Sequence, residues 1–283
     1  MTNSNLLPLR QIFSTYQTQQ KALPSFNIDS FEIFQSIVIA VRQTNLPCLV
    51  QLTAGEDKYF QAENLYLLVQ KARLEGLPIY LNMDHSKDPT RLLSLVKLGF
   101  DMVHLDNSLL DYNQNLTLTQ QFISQAKSIN PNLLVEVEFN HINLINDQPN
   151  PNSYTAPSQA QEFILTTRAD LLAVSIGNLH GVSFDYPEKL DLDLLSQIHQ
   201  KIPETFLVLH GGSGISSDQI SLAIKQGIVK ININTDLRLQ FKKSIKKYFS
   251  QINSERIYDY LNPLVSDISQ VARQKLIQFS QHV

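Results

Sequence analysis

Short runs rich in apolar and β-branched residues alternate with amphipathic helical stretches along the chain, and this alternation restricts the fold more than any other feature. The runs read as strands at 22–27, 47–53, 78–84, 101–106, 133–138, 170–176, 205–210 and 228–233. Helical periodicity lies between and after them, near 31–44, 58–75, 89–98, 116–129, 158–167, 191–200, 217–226 and 235–250. Strands separated by helices are joined by right-handed crossovers and lie parallel in one sheet. Eight such units within about 250 residues is the count of a (β/α)8 barrel. A doubly wound open sheet shares the alternation, but no glycine fingerprint follows the first strand. The expected fold is therefore α/β, a single (β/α)8 TIM barrel with an extra C-terminal helical segment over 255–283. No linker, low-complexity tract or shift of composition marks a second unit, so residues 1–283 are expected to form one barrel domain. The longest loop candidate is 139–156; loops beyond ~12–15 residues commonly act as lids or binding loops.

Composition excludes several classes. Of 283 residues 43% are hydrophobic, which rules out a disordered chain, and the single cysteine, Cys48, rules out a disulfide scaffold. A formal charge of −3 lacks the basic field that nucleic acid demands. No apolar run approaches the ~18 residues of a membrane span, and the N-terminal residues show no basic segment leading into a hydrophobic one. A cytoplasmic protein with neither nucleic-acid nor membrane partners is expected.

Glycine is scarce, at 9 residues, so each position is informative. Gly76, Gly99 and Gly227 each close a helical pattern before a strand-like run, the place where a left-handed residue ends a helix. Gly211, Gly212 and Gly214 fall together, which implies close approach of backbone to something there. In a barrel, chemistry gathers where strands end. The predicted strand ends carry Asp84-His85, Asp106, Glu136-Val137-Glu138, His180-Gly181, His210-Gly211-Gly212-Ser213-Gly214 and Asn232-Ile233-Asn234-Thr235. Of seven histidines, His85, His180 and His210 stand just past three different strands. Imidazoles converging from separate strands, with a coordination position left open, match a catalytic zinc site; any one alone reads equally well as a hydrogen-bonded turn residue. His104 is mid-strand and His199 is on a helix, so both read as structural. Asp84, Asp106, Glu136 and Glu138 gather on neighbouring strands, where a carboxylate can move protons or bind a second cation. The turn 210–214 leads into a helix, a combination that seats anions, and barrels commonly bind phosphate after strands 7 and 8.

Through these blocks the chain resembles the class II, zinc-dependent ketose-bisphosphate aldolases, the branch with fructose- and tagatose-bisphosphate aldolases. The likeness runs over about residues 5–250, through Asn82-Met83-Asp84-His85, Val135-Glu136-Val137-Glu138, Val174 to Gly181, Leu209 to Ile215 and Lys230 to Arg238. It implies catalytic Zn2+ on His85, His180 and His210, with Asp106 and Glu138 at a second cation site. Asp84 would exchange a proton with the hydroxyl of the aldehyde-side fragment. Gly181, the segment Gly211-Gly212-Ser213 and the segment Asn232-Ile233-Asn234-Thr235 would bind the dihydroxyacetone phosphate half. The implied reaction is cleavage of a ketose 1,6-bisphosphate to dihydroxyacetone phosphate and glyceraldehyde 3-phosphate, within carbohydrate metabolism and glycolysis. A homodimer or homotetramer with a sugar phosphate as small-molecule partner is implied as well. The departures are local. The family pattern His-x-Asp-His-Gly is here Asn82-Met83-Asp84-His85-Ser86, and the proton-abstracting loop glutamate falls on Asn146, leaving Asp147 as the candidate base. The usual Asp-Pro-Arg at the far phosphate is not evident, Arg256 being the nearest candidate. Two further readings stay open: a homologue that keeps zinc and phosphate but catalyses little, and a zinc lyase for another phosphorylated substrate.

Overall fold

Residues two apart in a strand share a face. Along several strands that face runs from apolar to polar: Leu23-Ser25-Asn27, Leu49-Gln51-Thr53, Tyr80-Asn82-Asp84, Met102-His104-Asp106 and Leu134-Glu136-Glu138. A computed structural model, describing residues 6–142, 153–179, 181 and 188–281, shows what this gradient builds. The strands are β1 (Leu23–Asn27), β2 (Cys48–Leu52), β3 (Ile79–Ser86), β4 (Met102–Asp106), β5 (Leu134–Glu138), β6 (Leu171–Ala173), β7 (Phe206–Leu209) and β8 (Ile228–Ile233). Each pairs in parallel with the next, and β1 with β8, closing a barrel. The apolar starts of the strands, with Leu23, Leu49, Tyr80, Met102, Leu134, Phe206 and Val208, fill the lower interior. The polar positions form the upper interior, where the site lies.

The helices are α1 (Leu9–Thr18), α2 (Phe31–Thr44), α3 (Ala54–Phe60), α4 (Ala62–Leu74), α5 (Pro89–Leu98), α6 (Tyr112–Ile129), α7 (Pro157–Thr167), α8 (Leu192–Lys201), α9 (Ser217–Lys225), α10 (Thr235–Gln251) and α11 (Ile257–Ser280). Most wrap the barrel and bury one face against the outward residues of the strands. Two have other tasks. Leu9, Ile12, Phe13 and Tyr16 of α1 pack onto the apolar lower interior and plug the base. Helix α11 packs along α2 through Leu264, Val265, Ile268, Ala272, Leu276 and Phe279, and the Phe279 carbonyl accepts the Ala22 N–H at 2.9 Å.

The barrel and its C-terminal helix agree with the sequence reading, and the differences are local. Helix α1 was not among the expected elements. The helix expected over 58–75 is two, broken at Gln61 (φ +66°), where Asp57 Oδ1 accepts the Ala62 N–H at 2.8 Å and starts α4 afresh. The expected strand 170–176 keeps only Leu171–Ala173, because the chain turns at Gly177 (φ +99°). Gly76, Gly99 and Gly227 end helices with positive φ as expected. At Gly227 a Cβ would stand 2.4 Å from the His199 ring, so that helical histidine packs against a helix end. Among the described residues no helix is long and apolar enough to cross a membrane.

Candidate functional site

Adjacent strand residues face opposite sides of a sheet, yet Asp84 and His85 both reach the barrel mouth. A bulge reconciles this. Met83 pairs with Val103 and Ser86 with Leu105, so Asp84 and His85 together oppose the single residue His104. His85 takes φ +49°, an uncommon conformation for a side chain with a Cβ. His104 steadies the bulge by accepting the His85 N–H on Nδ1 at 3.2 Å. Its mid-strand position argued for a structural role, which it has, but the fold also places it within the polar cluster.

The clustered groups are Asp84, His85, His104 and His210, with nitrogen and carboxylate atoms within 4.8 Å of one another. His85 Nε2 and His210 Nδ1 face each other at 2.7 Å. Each ring is oriented by its other nitrogen: His85 Nδ1 lies 3.1 Å from Asp106 Oδ2, and His210 Nε2 lies 2.6 Å from Glu136 Oε1. Carboxylates behind imidazoles are how metal-ligating histidines are held. Burial, and then His85 beside it, keeps His210 well below the usual imidazole range, hence neutral and able to donate a lone pair. Asp84 is fixed by Gln51 Nε2 (3.0 Å) and Asn232 Nδ2 (3.1 Å). Burial alone would raise it, but the surrounding His85, His104, His210 and Lys230 hold its carboxyl far below the ordinary range.

Glu136 differs from the other carboxylates of the cluster. It is fully buried between His210 and Lys230, whose Nζ donates to Oε2 at 2.8 Å, so its charge is compensated within the barrel. Glu138 is less satisfied. Oε1 accepts the Ile142 N–H at 3.2 Å, Oε2 has no hydrogen-bond partner among the described residues, and burial pushes the carboxyl up to about 8. With Asp106 and His85 it forms a second group able to hold a cation. A buried carboxylate oxygen lacking a partner beside another carboxylate is costly, and a cation would remove that cost. The donor set thus fits a metal at His85 and His210 and a cation at Asp106 and Glu138. His180, the third expected ligand, and Asp147, with Asn146, lie outside the described residues. His141 is within reach of the second group, its Nδ1 3.5 Å from Ser108 Oγ.

A cavity of about 280 Å³ opens over these residues, lined by Asp84, His85, His210 and Asn232, by Gly181, Gly211, Ser213, Asn234 and Thr235, and by Asn27, Thr53 and Arg238. Gly211 has φ +69°, and a Cβ there would come within 1.8 Å of the Leu179 carbonyl oxygen, so only glycine lets the turn pass. At the start of α10, Ser213 Oγ accepts the Asp236 N–H at 3.2 Å and Asn234 O accepts those of Leu237 and Arg238, so the Thr235 N–H is the first-turn donor left to meet an anion. Two of the expected substrate contacts sit differently. The Gly212 N–H is bonded to Asn232 O at 3.1 Å, and the Ile233 side chain is fully buried beneath the turn, so both support the cavity from behind.

With this geometry in hand, the profile described as fructose-bisphosphate aldolase class-II matches residues 7–282. The chain belongs to the class II fructose-bisphosphate aldolase family. Members of this aldolase family are metal-dependent lyases of sugar phosphates, and the clustered histidines and carboxylates accord with that. The chain is 28% identical to a fructose-bisphosphate aldolase of Pseudomonas aeruginosa, over 88% of this chain and 84% of that one. It is 27% identical to the plasmid-borne fructose-bisphosphate aldolase of Cupriavidus necator, over 88% and 86%. The crystal structure of the YdjI aldolase from Escherichia coli K12 superimposes with a TM-score of 0.85 at 25% identity, covering 97% of each chain.

Sequence reasoning missed several residues of this aldolase's site. Asn27, Gln51 and Thr53, at or just past the ends of the first two strands, and Lys230 and Arg238, at the two ends of a block that carries the resemblance, received no role. Lys230 had a visible signal, a lone cation inside the apolar run Ile228-Val229-Lys230-Ile231. Arg238 had none, because its partners Asp29 and Glu56 are remote in sequence. Arg256, the candidate for the far end, instead pairs with Asp259 at the start of α11 and stands largely exposed.

Proposed function

We propose that this chain catalyses reversible aldol cleavage of a ketose phosphorylated on C1, releasing dihydroxyacetone phosphate and an aldehyde with the help of Zn2+. The observation that carries the reading is the convergence of His85 Nε2 and His210 Nδ1 at 2.7 Å beside Asp84, in one cavity with the glycine turn. His85 and His210, with His180, would hold the zinc, which supplies Lewis-acid polarisation of the ketone when bound. The turn at Gly211 and Ser213 and the start of α10 would seat the phosphate. Asp84 takes the proton of the C4 hydroxyl as the C3–C4 bond breaks; C4 becomes the aldehyde carbonyl. The electron pair of that bond stays with the three-carbon fragment, and a proton delivered to C3, by Asp147 in place of the family's loop glutamate, completes dihydroxyacetone phosphate. Fructose- and tagatose-type 1,6-bisphosphates, giving glyceraldehyde 3-phosphate, are the first substrates to test.

A coupled assay for dihydroxyacetone phosphate checks the reading. Release should require metal and vanish in His85→Ala and His210→Ala. In Asp84→Ala it should fall by ~10²–10⁴-fold while metal binding persists. Turnover that survives stringent chelation would refute the zinc mechanism, and joint loss of zinc and activity in Asp84→Ala would make Asp84 a ligand.

A further inference from the structure

Three neighbouring strands carry a chain of buried amides that ends on Asp84. Asn27 of β1 pairs in register with Gln51 of β2, and Gln51 with Asn82 of β3. Gln51 is the hub: it is fully buried, and both its amide hydrogens and both lone pairs of its oxygen are taken. Its Oε1 accepts from Ser25 Oγ at 2.5 Å and from Asn82 Nδ2 at 2.8 Å. Its Nε2 donates to Asn27 Oδ1 at 2.9 Å and to Asp84 Oδ2 at 3.0 Å. Asn27 is held the same way round, because its Nδ2 donates to Glu56 Oε2 at 3.0 Å.

The direction of this chain matters to Asp84. A primary amide donates at one end and accepts at the other, and the two ends have nearly the same shape. Turned over, Gln51 would set its oxygen against Asp84 Oδ2 and Asn27 Oδ1, which are both acceptors. What keeps its nitrogen on that side is the pair of donors on the other, Ser25 Oγ and Asn82 Nδ2. Asn82 serves this end while leaving its own oxygen unsatisfied. It is fully buried, and its Oδ1 has no hydrogen-bond partner among the described residues. An unpaired buried carbonyl oxygen is unfavourable, so packing alone would select an apolar side chain at that place. The amide is explained by its nitrogen.

We propose that Asn82 is a positioning residue for Asp84. Acting through Gln51, it keeps a donor on Asp84 Oδ2 and so fixes the carboxylate at the cavity, where Asp84 takes the C4 hydroxyl proton. Asn232 Nδ2 steadies the other oxygen at 3.1 Å. This rests on the aldolase reading above and adds a residue to it. No bond is made or broken at Asn82, and no proton passes through it.

The test separates two reactions of the zinc-loaded enzyme. Cleavage, read as dihydroxyacetone phosphate release from fructose and tagatose 1,6-bisphosphates, uses Asp84. Exchange of the C3 proton of dihydroxyacetone phosphate with solvent deuterium does not, because that molecule has no C4 hydroxyl. Loss of a general base costs ~10²–10⁴-fold, so Asn82→Leu, which only loosens one, should lower kcat for cleavage by about 10–100-fold. Its KM and its exchange rate should stay within about threefold of wild type. Ser25→Ala removes the companion donor and should show the same pattern more weakly, which keeps the test open should Asn82→Leu fail to fold. In an Asp84→Ala background Asn82→Leu should lower the residual cleavage no further, since residues that act through one group are not additive. Cleavage at the wild-type rate in Asn82→Leu overturns the inference and leaves the aldolase reading intact. So does a fall of cleavage and exchange together, or a further loss in the Asp84→Ala background. A wild type that neither cleaves nor exchanges overturns the aldolase reading itself.

Discussion

The side chain on which the site's geometry leans most heavily never reaches the cavity. Lys230 is fully buried, and its Nζ donates to the Glu136 carboxylate that in turn holds the His210 ring. A buried pair of this kind adds little over an apolar isostere, but breaking it strands a charge and typically costs ~3–5 kcal/mol. Lys230→Met should therefore lower stability by about that amount and weaken metal binding by ~10–100-fold, since Glu136 would no longer hold the His210 ring in one tautomer. Adding Glu136→Gln should restore most of the stability, because the neutral amide oxygen still accepts the His210 N–H. Denaturant unfolding and metal titration of the three proteins check this, and a double variant no more stable than Lys230→Met would show that the pair is not the cause. At this scale, His85, His210, Asp84, Asp106 and Glu138 were legible because strand ends can be located from periodicity. Lys230 and Glu136, or Arg238 and Glu56, meet only when strands far apart in sequence close a ring, so no spacing announces them.

Elements connect these residues, and the segment after β6 shows how. It is fastened at several points: the Asp191 N–H to Ile176 O at 2.8 Å, Asn178 Nδ2 to His210 O at 3.1 Å, and the Leu179 N–H to Glu188 Oε2 at 3.0 Å. A Cβ on Gly177 would sit 2.5 Å from the Lys189 carbonyl oxygen, so the two ends of the segment touch. Burial raises the Glu188 carboxyl from 4.5 to about 7. Between these two values the folded protein keeps a proton that the unfolded chain has released, so this group's contribution to stability declines as pH rises through the window. Glu188→Gln cannot titrate. Its unfolding free energy, measured by denaturant against pH, should lose less than that of the wild type between those limits, and parallel curves would show that Glu188 is not the titrating group. Periodicity found the alternating helices and strands but not the bulge in β3, because a bulge is a property of pairing between two strands. The plug α1 carries its apolar residues at 9, 12, 13 and 16, a helical spacing that is legible once its burial against the barrel base is seen.

The whole molecule divides along the barrel axis. The base, sealed by α1 and apolar within, stabilises by burial alone. The mouth gathers buried histidines and carboxylates whose lost hydration opposes folding. A metal there binds the folded chain and not the unfolded one, so it should stabilise by mass action, ~2.7 kcal/mol at a hundredfold excess over Kd. Chelation should accordingly lower Tm by several degrees in wild type, in a metal-concentration-dependent manner, and leave the already lower Tm of His85→Ala and His210→Ala unmoved; a wild-type Tm indifferent to chelator would argue against a metal at the mouth. The bulge in β3 separates these two halves of the design in a further way. Closing the barrel requires one residue opposite His104, and the chain supplies two. A chain one residue shorter between Met83 and Ser86 could keep the same ladder and the same packed base, yet turn only one of Asp84 and His85 inward. Selection for a folded protein would not preserve that additional residue; selection for turnover would. On the function proposed above, a single inserted codon would thus be enough to distinguish a barrel that merely folds from one equipped to break a carbon–carbon bond.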